Sequence, residues 1–394
     1  MNRSSLKQWS SALLKVWTRE FVLVFSDIGV LLFFILLPTI YPLIYTLIYN
    51  PEVVHDIPVA VVDNCRSTNS RQFVRMADAT EAIHIVGYAI SISEAREWKN
   101  EKACYGVLLI PHDFDRNLNT HQQATIEFYC DMSLLIRYRA FVSSLTSLSL
   151  AYGAQVRHQQ YSLPSSTPVN SHAVFTGNPS EGFASFLIPG ILILIIQQSL
   201  ILGISMLGGG RAERRKINGN SDPLTIIAPS SASILGKALC YTVIYIPLVL
   251  YMLLFIPTIF NLPRSANIID IILMSLPLLL SSSFMGLSVQ KLSSERESSM
   301  LVIVFTSVIF IFLSGLTWPR YAMSPIWYGI SSLIPATWGI EAFVNINSMG
   351  ANLNLTATPY LMLWGLTLAY YTLAIVIETH NKKSAKVINS VNKH

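Results

Sequence analysis

Charge is scarce in this sequence. Asp, Glu, Lys and Arg make up 12% of 394 residues against 52% hydrophobic residues, and the mean hydropathy is +0.48. Those values exclude an ordinary soluble domain and imply a polytopic membrane protein. Cysteine is sparse too: Cys65, Cys104, Cys130 and Cys240 lie apart, without the close pairing that zinc ligation needs. No G-x-x-x-x-G-K-[ST] loop occurs, and Gly236-Lys237 lacks both the upstream glycine and the following hydroxyl residue that cradle phosphates. No basic-aromatic nucleic-acid module appears, so the net charge of +5, carried by a few short segments, is a topology signal. His84, His112, His121 and His158 lack ligand spacing, and no Ser-His-Asp or paired-carboxylate set stands out.

What the chain has in quantity is apolar length with almost no charge, Asp270 and Glu378 standing at the ends of two runs. Runs at 28–49, 184–207, 238–260, 269–290, 299–318 and 358–378 each approach or exceed the ~20 residues that cross a bilayer. Six spans follow, the first forming a segment 27–49 and the other five lying within 182–380. Residues 1–26 set Arg3, Lys7, Lys15 and Arg19 among Leu13, Leu14, Val16, Trp17, Phe21 and Val22, the pattern of an interfacial amphipathic helix. Pro38 and Pro42 are expected to bend the first span. Lys291, Arg296 and the lysines of a 381–394 tail mark cytoplasmic segments, whereas the short outer segments hold only Arg264 and Arg320, so both termini are expected inside.

Residues 50–181 change character, and the first span directs them to the extracytoplasmic side. IPVAVVD (57–63), AIHIVGY (82–88), YGVLLIP (105–111) and ATIEFYCD (124–131) read as strands. Helices are expected over 70–79, over 92–102 behind a Ser91/Glu94 capping box, and over 133–160 with Phe141, Leu145, Leu148 and Tyr152 on one stripe. Arg137 and Arg139 argue that this last helix is no span. The alternation implies an inserted α/β domain. If a disulfide forms in that oxidising compartment, Cys104 and Cys130 are the expected pair.

Two further stretches carry function. The segment 208–237 crowds Arg211, Glu213, Arg214, Arg215 and Lys216 between two spans, which fixes it as cytoplasmic. Residues 319–350 are apolar but broken by Pro319, Pro325 and Pro335, and are expected to form a re-entrant outer hairpin carrying Trp338 and one carboxylate, Glu341. Glu341 either lines a translocation path or outer gate with Pro335 and Trp338, or sits at the water interface.

With these elements in place the chain resembles the permease subunits of type-2 ABC exporters, in the bacterial branch with a large domain between the first two spans. NPSEGFASFLIPG (178–190), RAERRK followed by Pro229 and Gly236-Lys237, FLSGLTWP (312–319) and LIPATWGIE (333–341) carry the resemblance in the family's order. PVAVVD and VLLIPHDF (107–114) are similar to its external strands. Ile217, Asn218, Gly219, Asn220 and Ser221 depart from the Gly-Thr usual after the acidic-basic cluster.

The resemblance implies a six-span α-helical fold in the bacterial cytoplasmic membrane, working as a homodimer or with a close paralogue. It implies alternating access that moves amphipathic small molecules, drugs or lipids outward. This chain would bind no cofactor; ATP and Mg would sit on a partner ABC ATPase subunit, and a periplasmic adaptor would meet the external domain. A short helix around 211–217 would present Arg211, Arg214 and Arg215 to ATPase carboxylates, with Glu213 answering a basic residue. Read from the residues alone, the same arginines equally serve topology and lipid phosphates. Two other classes compete: a receptor or assembly factor with a ligand-binding external domain, for which the chain has no cytoplasmic signalling domain, and a membrane transferase, for which clustered acidic or His residues are missing.

Overall fold

The computed structural model describes residues 3–49, 54–120, 122–130, 135–161, 183–218, 228–290 and 295–391. Its contacts divide it into two compact units, residues 1–50 with 175–394, and residues 51–174.

The chain begins with α1 (Arg3–Ser26) and α2 (Ile28–Tyr49), separated at Asp27, whose extended backbone breaks the helix and whose carboxylate accepts from the Val30 amide at 3.4 Å. Only one stripe of α1 is buried, Val16, Glu20 and Val24 at i, i+4 and i+8; Leu14, Phe21 and Val22 are exposed on other faces. The helix is therefore packed against protein along one side and apolar along another, more than the single amphipathic face expected of it.

In the second unit, β1 (Ile57–Asp63), α3 (Thr68–Asp78), β2 (Ile83–Tyr88), α4 (Ile92–Asn100), β3 (Gly106–Ile110), α5 (Phe114–Asn119), β4 (Glu127–Cys130) and α6 (Leu135–Tyr161) alternate as the composition implies. The sheet order is β2-β1-β3-β4, with β1 parallel to both β2 and β3 and β4 antiparallel at the edge. One face buries Val59, Val61, Leu108 and Ile110 against Phe73 of α3 and Phe141 and Leu145 of α6, so the expected α6 stripe is a core stripe. The other buries Ala60, Val62, Val107 and Leu109 beneath Ala95 of α4. Burial on both faces is why β1 and β3 read as continuous apolar runs. Ser91 accepts from the Glu94 amide at 3.2 Å, while Glu94 reaches back to the amide of Ile90, one residue outside the standard capping box. The expected Cys104–Cys130 bridge does not form. Cys104 is buried in the α4-side core and Cys130 packs against the α6-side core, so the sheet separates two thiols.

The first unit resumes with α7 (Phe183–Asn218), α8 (Ser230–Ile259), α9 (Ile268–Val289), α10 (Arg296–Leu313), α11 (Pro325–Ser332), α12 (Pro335–Asn347) and α13 (Ala357–Val391). Among the described residues six helices, α2, α7, α8, α9, α10 and α13, are long and apolar enough to cross a membrane, and the chain is a multi-pass helical membrane protein. Helix α7 is the hub: 83% of its most apolar window is buried within the protein, against 12% for α10. Glycines permit this packing where Gly339 of α12 lies so near Leu278 and Ile193 that a Cβ would meet their side chains at 2.9 and 3.0 Å. Wide π-turns at Leu32–Leu36 and Tyr251–Phe255 precede Pro38 and Pro257, each opening the helix just before a residue that cannot donate to it. The Tyr251 hydroxyl, donating to the Thr39 carbonyl at 3.0 Å, ties the two irregular helices together.

Candidate functional site

The candidate functional residues of the coupling segment gather where helix ends meet. No separate helix forms over 211–217; α7 runs unbroken to Asn218 and carries Arg211, Glu213 and Arg214 as its own last turns. Gly208, Gly209 and Gly210 just before them admit a close crossing. A Cβ on Gly209 would lie 2.9 Å from backbone atoms of both Glu295 and Arg296, so the start of α10 rests on bare helix backbone. Gly236 does the same for α1, its absent Cβ lying 2.9 Å from the Leu13 carbonyl oxygen. Trp9 adds a hydrogen bond to Ser231 at 3.0 Å.

Two ion-pair groups lock this crossing. Glu20 of α1, with only 4% of its side chain exposed, accepts from the Arg211 guanidinium of α7 and from the Tyr241 hydroxyl of α8. Burial pulls the Glu20 pKa up, but Arg211, Lys237 and Tyr241 outweigh it and hold the carboxyl below its ordinary value. Asp27, the break between α1 and α2, receives two guanidinium bonds from Arg296 of α10, one at 3.1 Å. Burial again raises its pKa, and Arg296 hydrogen bonding and charge, with the Val30 amide and Arg214, bring it down. Glu213 completes the group: it accepts from the Arg296 backbone amide at 2.8 Å and faces its Nε at 3.6 Å, so an acid of α7 caps the N-terminus of α10. Together these contacts join α1, α2, α7, α8 and α10.

The five residues expected at the coupling segment therefore divide. Arg211 and Glu213 point inward and are spent on Glu20 and Arg296. Arg214 is exposed, its Nε donating to the Gly210 carbonyl at 3.1 Å. Arg215 and Lys216 lie on the last helical turn with side chains outside the described residues, as do residues 219–227, which hold most of the family departure. Sequence reasoning missed Glu20, Asp27 and Tyr241 and gave Arg296 and Lys237 only a topological role. A signal was present in Glu20 and Asp27: carboxylates beside an otherwise basic and apolar segment that leads into a span.

A second cluster gathers the outer residues. Arg320 donates to Glu341 at 2.7 Å and to Ser332 at 3.0 Å, and lies 4.1 Å above the Trp338 ring and 4.8 Å from that of Tyr328. Pro335 opens α12 at a position where no amide is needed, and the next amide, of Ala336, donates to buried Gln197 of α7. Glu341 and Trp338 are thus brought together through an arginine whose place in the sequence pointed only to an outer loop, and Pro335 shares their helix without a contact to it. Gln197 and Arg211 are 14 residues apart on one helix, about 21 Å along its axis, so the two clusters lie well apart along the span. Among the described residues no group of His, Cys, Asp and Glu is placed to hold a metal ion.

The family model described as "ABC-2 family transporter protein" matches residues 28–376, from the start of α2 into α13. A curated relative, ABC transporter G family member 20 of Dictyostelium discoideum, is 23% identical over 378 residues, 93% of this chain and 50% of the relative. The chain thus spans about half the length of that relative. With six candidate spans inside a match that covers most of the sequence, the chain belongs to the ABC-2 family of membrane transporter proteins.

Proposed function

We infer that this chain is the permease part of an ATP-driven exporter that moves amphipathic small molecules, drugs or lipids outward by alternating access. ATP and Mg act on a separate ABC ATPase subunit. The observation that carries this reading is the locked crossing at the end of α7. A force applied to the exposed Arg214 end is delivered through Arg211–Glu20 and Glu213–Arg296 to four other helices at once. Arg214, Arg215 and Lys216 meet ATPase carboxylates, while Arg211 and Glu213 transmit. This revises the expectation that Arg211 and Glu213 dock together with Arg214 and Arg215, and leaves lipid phosphate as the competing partner for Arg214, Arg215 and Lys216. The relative's name as an ABC transporter supports the same class.

In this reading both termini and the α7 end are cytoplasmic, the β/α unit is extracytoplasmic and meets an adaptor, and α11–α12 form the re-entrant outer hairpin. The Arg320–Glu341–Trp338 cluster braces that hairpin as an outer gate. Two permease copies enclose the path. The lysine and arginine distribution supports the orientation, and a cysteine introduced at Asn119 tests it. Labelling by a membrane-impermeant maleimide in intact cells is expected, and labelling only after the cytoplasmic face is opened would overturn the orientation. Native mass of the same extracted complex should count two permease copies; one copy with full transport contradicts the dimer.

A further inference from the structure

Within the β/α unit lies a cavity that the transport reading does not use. Helix α4 packs on β1 and β3, and between it and the edge strand β4 is a cavity of about 400 Å3. That size lies within the roughly 300–1,000 Å3 of small-molecule sites. Among the described residues its charged lining has one sign: Arg96 and Lys99, one turn apart on α4, face it together, with no Asp or Glu beside them. Arg96 forms no ion pair among the described residues. The adjoining carboxylate, Glu127, accepts from the Tyr129 hydroxyl at 2.7 Å. The rest of the described lining is Ile92, Val107, Phe128, Tyr129 and Tyr138, with Cys130.

Two cations set beside an aromatic and aliphatic surface suit a ligand with both a charged head and a flat apolar body. An inorganic anion would leave the rings unused, and a neutral hydrophobe would leave Arg96 without a counter-charge. We propose that this cavity binds a small amphipathic anion, an aromatic or alicyclic carboxylate or sulfonate. The head meets Arg96 and Lys99, where charge-assisted hydrogen bonds are available, and the body rests on Ile92, Val107 and the two tyrosines.

The test uses the full chain in phosphatidylcholine nanodiscs, with 2-naphthalenesulfonate as probe and empty nanodiscs as blank, read by equilibrium dialysis. Arg96 and Lys99 are exposed, so an Arg96→Glu/Lys99→Glu variant leaves the fold in place, and binding is expected to weaken by about tenfold or more. Ile92→Trp keeps both charges but fills the cavity, and should also abolish binding. The ammonium isostere, 2-naphthylmethylammonium, should not bind. Unchanged binding in either variant, equal binding of the ammonium probe, or no sulfonate binding by the unaltered chain overturns the site. The readout is binding alone, so failure here leaves the permease reading standing.

Discussion

A Glu20→Ala protein is expected to lose about 3–5 kcal/mol of stability, because truncating one partner of a buried ion pair leaves the other charge uncompensated. Here the stranded charge is Arg211, 19% exposed in a helix that forms the hub of the unit. The Tyr241 hydroxyl loses its acceptor at the same time. Replacing both charges by apolar residues of similar size, Glu20→Leu with Arg211→Met, should restore most of the loss, since a well-packed apolar pair is often no less stable than the buried ions. Acid should act on the same bond. The folded pKa of Glu20 is depressed below 4.5, so its contribution is present above that value and is lost as pH falls through the folded pKa. Unfolding curves in detergent are expected to show the single mutant well below the unaltered protein at neutral pH, with the gap narrowing below pH 4.5. Equal midpoints at neutral pH would remove the lock.

The second large effect concerns the last turns of α7, where Arg214 is exposed. Reversing Arg214 and Arg215 to Glu should uncouple transport while membrane insertion survives, because the apolar spans that drive insertion are unchanged. If those arginines meet carboxylates on an ATPase, two attractions become repulsions, and losing one buried hydrogen-bonded charge pair at an interface costs about 2–5 kcal/mol. That corresponds to roughly 30-fold or more in affinity at about 1.4 kcal/mol per decade. Drug efflux in inverted vesicles and substrate-stimulated ATP hydrolysis should fall together. Normal values of both would leave Arg214 and Arg215 with topology or lipid contact only.

The six spans were legible because an uncharged apolar run of bilayer length rarely arises except as a membrane helix. Their ends at the coupling segment were not. Reading loops from charge stops the second span at 207 and starts the third at 238, whereas the helices run to Asn218 and begin at Ser230. The reason is physical: Arg211 and Glu213 are paired within the bundle, and Lys237 is buried beside Glu20, so none behaves as a loop charge. Their partners lie 191 and 83 residues away along the chain, a separation that no local spacing encodes. The glycine run 208–210 was visible, but its use became clear only once the Glu295–Arg296 backbone was seen resting on it. In the β/α unit, strand identity was legible from apolar content. The face on which each cysteine sits depends on register and was not.

The central claim is that α7 ends in an inward pair, Arg211 and Glu213, and an outward cation, Arg214, that meets an ATPase. Site-specific photocrosslinking tests it most directly, with a photoreactive residue placed at position 214 and, in a separate protein, at position 211. Position 214 is expected to yield an adduct with an ATP-hydrolysing subunit in cells, and position 211 only adducts within the chain. Adducts of position 214 with lipid alone, or an ATPase adduct from position 211 as strong as that from 214, would contradict the claim.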